Sequence, residues 1–341
     1  MKKYLTASFA AAFLLMALII SGCGDAAIPG VTAKQTKLLD YVPVDAAGVM
    51  QVNFGKFAKL DLFDKMMKEK KESQEVDTKK MFENYEEFVA KTGIDPKKDI
   101  RSLTVAFAGE ASLTAQAGKS QDFAALIDLN YDKEKIMAIL KEKGVKYTEE
   151  AYKDFTILTI EEESQDNMSV CFIDGKTIAA GKIEILKKVI DLVKGEGQSV
   201  LKNDKLKPYI DKFKADVILS FVFEIPEKDK KVQDSGMLKM DLSKAEVIKG
   251  SFDYADKAFK GIIEMISHNE QANKDLANTL TGLKGMGAMA GPEIAELVNN
   301  IQITGSADRL SITAAVTDEL VEKLKAKMDE QTKQKGTLPE E

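Results

Sequence analysis

Hydrophobic and polar positions divide the chain into three stretches of different character. Residues 4–20 are apolar apart from Thr6 and Ser8. Residues 24–37, GDAAIPGVTAKQTK, have no apolar period and read as a tether. Beyond them, strand-like alternation and helix-like spacing take turns. VMQVNF (49–54) predicts a strand, and Phe57, Leu60, Phe63 and Met67 recur at helical spacing. Met81, Tyr85, Phe88 and Val89 do the same, with Phe82 widening the stripe. SLTVAF and FAALIDLNY predict two strands, after which Asp132 can cap a helix whose apolar face is Ile136, Met137, Ile139 and Leu140. FTILTIEE and SVCFIDGKTIAAG read as a hairpin-like pair. KIEILKKVIDLVKG is an amphipathic helix with Ile183, Leu186, Ile190 and Val193 on one stripe and Ile185 and Val189 beside it. ADVILSFVFEI is apolar on both faces, with Val217, Leu219, Phe221 and Phe223 on one and Ile218 and Val222 on the other. It predicts an interior strand covered on both sides. AEVIKGSFDYADKAFKGIIEMIS reads as a further hairpin. Residues 269–301 read as mostly helical with a break at GMGAMAGP. NIQITGSADRLSITAAV predicts two strands, and Leu320, Val321, Leu324 and Met328 mark a closing helix.

Strands followed by helices in this order predict an α+β fold, with antiparallel sheets and helices packed on one side. Two strand-turn-strand-helix units, beginning IRSLTVAF and VNNIQITG, share their order and their helical stripe. They suggest two related halves, although any ββα unit resembles another. The expected organisation is a signal segment at 1–22, a modified cysteine and tether at 23–37, a first half at 38–214, a second half at 215–333 and a frayed tail at 334–341.

Composition changes the picture chiefly by exclusion. The 341 residues carry a net charge of −6, and removal of the first 22 takes Lys2 and Lys3 and leaves −8. Phosphate binding depends on basic patches, so a nucleic-acid partner is not expected, nor is electrostatic docking on anionic lipid. The N-terminus supplies another route to a membrane. Lys2 and Lys3 precede the apolar run, and small residues close it, which is the layout of an export signal. The run is slightly short for a membrane span and lacks a basic flank after it.

Ile20-Ser21-Gly22-Cys23 resembles the lipobox of bacterial lipoproteins: a branched aliphatic, two small residues and a cysteine. The resemblance covers only about the first 25 residues. It implies cleavage before Cys23, a diacylglyceryl group on its thiol and acylation of the new amino group. Each buried CH₂ contributes about 0.8 kcal/mol, so two or three chains anchor stably where one does not. In Gram-negative lipoproteins aspartate directly after the cysteine goes with inner-membrane retention. Here Gly24 holds that place, which favours the outer membrane if the source has one.

Catalytic chemistry is sparse. His268 is the only histidine, and nucleophilic catalysis usually needs such a base; at a strand end it reads as a turn residue. Cys171 alternates with Val170 and Phe172 in a strand and reads as a buried thiol. Zinc lacks ligands, and no metal or cofactor is expected. Asp128, Asn130 and Asp132 echo the start of a calcium loop, but Lys133 stands where glycine is needed and Ile139 where the last acid belongs. GMGAMAG lacks the Lys-Ser/Thr of a phosphate loop. Its Met286 and Met289 are instead a candidate apolar contact surface. No catalytic residue is assigned. The reading that follows is a lipid-anchored envelope protein with a non-enzymatic binding or scaffolding role. Its partners are the membrane, through Cys23, and an unknown protein or apolar ligand. A carrier of apolar ligands and a carboxylate-dependent hydrolase are the alternatives.

Overall fold

The computed structural model describes residues 35–60, 63, 85–109, 122–161, 167–227, 230, 233–234, 239–240 and 242–335. The signal segment, Ile20 to Cys23, the tether up to residue 34, Met67, Met81, Phe82 and residues 336–341 lie outside them. The chain is α+β, and its strands pair antiparallel. It divides into two compact units between Glu224 and Ile225.

In the first unit the strands are β1 (Ala46–Val52), β2 (Ile100–Ala108), β3 (Phe123–Leu129), β4 (Tyr147–Tyr152), β5 (Phe155–Ile160), β6 (Met168–Asp174), β7 (Thr177–Gly181) and β8 (Leu219–Glu224). Their order is β8-β1-β2-β3-β7-β6-β5-β4, with β4 at an edge. The register sets Val49, Ala106, Ala124, Leu126, Ala179, Cys171 and Ile157 on one face, and each is at most 2% exposed. Helix α5 (Ile183–Val193) packs on β7, β6, β3 and β5. The alanines let it come close, and Ile185, Leu186, Val189 and Ile190 fill the gap. The buried stripe therefore centres between the two stripes expected from spacing, and Ile183 and Val193 are only half-buried.

Among the described residues five shorter helices complete the unit: α1 (Phe54–Phe57), α2 (Tyr85–Thr92), α3 (Pro96–Asp99) and α4 (Lys133–Glu142) precede α5, and α6 (Lys207–Ile210) follows it. Phe54, Phe57 and Phe63 form an edge-to-face cluster with centroids 5.9–6.0 Å apart. In β8, Val222 is fully buried while Leu219, Phe221 and Phe223 are half-buried. Phe223 lies across Gly48 of β1, where any Cβ would overlap the ring. Strand β4 has no counterpart in the hydrophobic pattern. Thr148, Glu149, Glu150 and Ala151 are all exposed, so it carries no alternation.

The second unit holds a short ladder, β9 (Gln233–Asp234) with β10 (Lys239–Met240), and strands β11 (Val247–Ala255), β12 (Ala258–Ile266), β13 (Ile301–Gly305) and β14 (Arg309–Thr317). The four longer strands run in the order β11-β12-β14-β13. Its helices are α7 (Glu270–Gly287), α8 (Pro292–Asn299) and α9 (Asp318–Lys335), the last of which takes in two residues of the expected frayed tail. Asp256 and Lys257, both with φ near +57°, make the β11–β12 turn.

The units share a plan. In each, a hairpin, a helix, a second hairpin and a second helix follow in order: β2-β3-α4 then β6-β7-α5, and β11-β12-α7 then β13-β14-α9. In each, the second strands of the two hairpins pair, β3 with β7 and β12 with β14. The first helix begins after the same two-residue step and an Asx cap, Asp132 in one unit and Asn269 in the other. The spacing pattern pairs β2-β3-α4 with β13-β14-α9; strand order instead pairs β2-β3 with β11-β12, with β4 and β5 inserted in the first unit and α8 in the second.

Candidate functional site

The candidate site is the connector between α7 and α8. Asn269 caps α7 by accepting from the Ala272 amide at 2.9 Å. One turn in, Asn273 is fully buried, accepts from Ser267 Oγ at 2.7 Å and donates to the Ser306 carbonyl at 2.8 Å. These bonds pin the helix start to the ends of β12 and β13. Leu276 and Ala277 then pack with Leu310, with Leu280, Met265, Ile303 and Ile312 around them.

Past Leu280 the packing thins. Gly282, Gly285 and Met286 are exposed, and Lys284 ties the helix to the Ile301 carbonyl at 2.6 Å. A single 3-10 turn, Ala288–Ala290, follows, and Gly291 at φ +135° reverses the chain into α8. That conformation suits glycine alone, and an added Cβ would also lie 2.6 Å from Lys327 Nζ. No residue of α8 is fully buried; Ile294, Leu297 and Val298 are half-covered. Ion pairs from Glu293 to Lys327 and from Glu296 to Lys323 (3.3 Å) fasten α8 to α9. The Lys327 hydrogen bond holds the Glu293 carboxyl below its ordinary value. Met286 is 60% exposed and Met289 87%, so the sequence-predicted contact pair is presented outward on one small-residue connector. Phe252, at 38%, is the third large exposed apolar side chain among the described residues. It lies over Gly261 of β12, whose added Cβ would meet the ring at 2.7 Å.

The other residues singled out by sequence have structural roles. Cys171 is buried in β6, and burial pushes its thiol up to about 11 against a small opposing effect of Lys133. His268 is exposed in the step before α7, with Nδ1 3.7 Å from Asp308 Oδ1. Asp128 and Asn130 both bind Arg101, while Asp132 caps α4 by accepting from Glu134 N at 3.0 Å and Lys135 N at 3.2 Å. The calcium-like spacing is thus committed elsewhere, Asp128 and Asn130 to Arg101 and Asp132 to the helix cap. Among the described residues no three of His, Cys, Asp or Glu converge to hold a metal, and no helix is long and apolar enough to cross a membrane. Cys23 and the rest of the lipobox lie outside the described residues.

Two polar clusters escaped the sequence reading because their members are far apart along the chain. In the second unit, Glu264 is 8% exposed and accepts from Lys249, from Arg309 Nη1 at 2.8 Å and from Ser311 Oγ at 3.4 Å. Burial works to raise its carboxyl, but the Lys249 and Arg309 hydrogen bonds outweigh it and hold the group below the ordinary value of 4.5. In the first unit, Asp191 near the end of α5 takes hydrogen bonds from Lys153 and from Tyr152 Oη (3.0 Å), and Lys153 also reaches Glu196 at 2.7 Å. Lys153 and Lys187 each stand 5.6 Å from the Tyr152 ring centroid. This cluster clamps the β4–β5 hairpin onto α5. A cavity lined by Pro43, Asp45, Phe107, Ile185 and Lys188 holds about 10 Å³, room for roughly one water.

No protein-family model and no curated protein matches the chain. Among solved structures, crystal form III of TP0453 aligns with 83% of this chain and 96% of its own at a TM-score of 0.50 and 10% identity. Crystal form I aligns with 83% and 94% at 0.46 and 10%. At that identity the likeness to form III shows the α+β fold and nothing further about what the chain does.

Proposed function

We propose that this chain is a lipid-anchored cell-envelope protein, attached through Cys23, whose body is non-enzymatic and binds by apolar contact. The observation that carries the binding part is the outward presentation of Met286 and Met289 on a connector that no packing requirement explains. Methionine is flexible and polarisable, which suits an adaptable contact. The anchor rests on Ile20-Ser21-Gly22-Cys23. By the same resemblance the anchored position is the outer membrane if the source has one. In the native host, Cys23→Ser is expected to move the protein from the membrane to the soluble fraction and to end incorporation of labelled fatty acid. Retention of the variant in the membrane, with no label in the wild type, would defeat the anchor.

A second reading, a carrier of apolar ligands, is favoured by the helix-facing side of the second sheet. Ile248, Phe252, Phe259, Ile263, Ile312 and Val316 share that face, and none is fully buried. Saturable binding of a fluorescent fatty acid, lost on Ile263→Asp with the fold intact, would support it. The hydrolase reading gains nothing comparable. A general acid needs a raised carboxyl pKa, and among the described residues every resolved carboxyl shift is downward: Asp154, Asp191, Asp256, Glu264 and Glu293.

A further inference from the structure

We infer that the Met286–Met289 connector is a second, non-covalent contact with the bilayer that holds the lipid anchor, and that it sets the orientation of the body. The inference rests on the anchored reading above and names the surface the connector meets. Its size argues first. Two methionines fall far short of the roughly 800 Å² per partner in a stable protein interface. They also bring fewer buried carbons than a single myristoyl chain, whose membrane affinity is already marginal. Such a contact cannot hold a free body on a bilayer. It can orient one that is already tethered, because tethering replaces bulk concentration with a high effective one.

The length of chain between anchor and body argues next. Residues 24–34 reach at most about 40 Å when fully extended, so a body beginning at Gln35 never leaves the neighbourhood of the bilayer. Gly285, Gly287, Ala288 and Gly291 surround the methionines and carry no charge. Two nearby ionic couples cancel, Glu293 with Lys327 and Glu296 with Lys323, and the Lys284 ammonium is held on the Ile301 carbonyl. An acidic chain, of net charge −8 once its first 22 residues are removed, thus offers an apolar stretch without carboxylates, residues 281–292, to a surface that would repel the rest of it.

The chain contains no tryptophan, so Met289→Trp supplies a single indole. The chain without its first 22 residues is coupled through Cys23 to maleimide-headgroup lipid in phosphatidylcholine vesicles. Cys171 is buried and does not compete. The expected result is blue-shifted emission, with quenching by bromine-labelled acyl chains at least about threefold stronger than for Lys176→Trp in the exposed β6–β7 turn. Equal quenching at the two positions overturns the inference. A blue shift without acyl-chain quenching also overturns it, in favour of contact with a second copy or another protein. In a version without the indole, Met286→Ser/Met289→Ser should abolish vesicle-induced protection of amides 283–291 in hydrogen exchange; protection that persists counts against the contact. Because coupling is chemical, failure here is separate from failure of lipidation, which fatty-acid labelling of the wild type reads alone.

Discussion

Leu186 and Glu264 are buried for opposite reasons. Leu186 is fully covered between α5 and a sheet face floored by alanines. The backbone beneath it cannot collapse into a void, so Leu186→Ala should lose about 2–5 kcal/mol, read as a lower midpoint in urea at unchanged slope. Glu264 is covered because Lys249 and Arg309 compensate its charge. Its folded pKa lies below its unfolded one, so its contribution is present above the unfolded value and is lost as pH falls through the folded one. Glu264→Gln should therefore flatten the acid limb of the stability curve below about pH 4.5, and urea midpoints measured from pH 3 to 7 would show it. The two residues also differ in legibility. Leu186 announces itself by helical spacing. Glu264 looks like any other of the 55 acidic residues, because its partners stand 15 and 45 positions away.

At the scale of elements, the sequence pattern located those whose two faces differ. Helix α5, strands β2 and β3 and the β11–β12 hairpin stand where hydrophobic periodicity places them, and the break at GMGAMAGP, marked by its glycines and proline, begins after Gly287. Strand β4 was illegible because it is exposed on both faces and alternates with nothing. The correspondence between the units was misaligned for a related reason. A ββα stretch looks alike wherever it occurs, and only strand order tells first hairpin from second. Strand order makes Asp132 and Asn269 equivalent caps, each ending a two-residue step from a strand. Asp132→Ala and Asn269→Ala should each cost about 1 kcal/mol, measurable as separate losses in thermal unfolding. The connector's methionines were legible as a candidate from composition alone; that they face outward was not, because exposure depends on what the neighbouring helices leave uncovered.

For the whole molecule, the two units differ in how tightly they close. The first packs a helix onto a sheet face that is almost wholly dry. The second keeps its apolar sheet face and all of α8 partly wet. Hydrogen exchange should reflect this, with amides of β3 and β7 outlasting those of α8 by orders of magnitude; comparable lifetimes would contradict it. The loosely closed unit also carries the connector, so the proposed contact surface lies on the part most able to yield. The edge strand β4 bears on life at a membrane in a different way. Anchored as proposed, the protein would be confined to a plane and meet its own copies far more often than in bulk, and edge-on encounters invite strands to zip together. The exposed Glu149 puts a carboxylate on that edge beside Glu150, which pairs with Lys187 at 2.7 Å, so identical edges that approach meet charge before their backbones can pair. Under the proposed anchoring, the least protein-like strand in the sequence is what would let many copies share one crowded sheet of lipid without fusing into fibres.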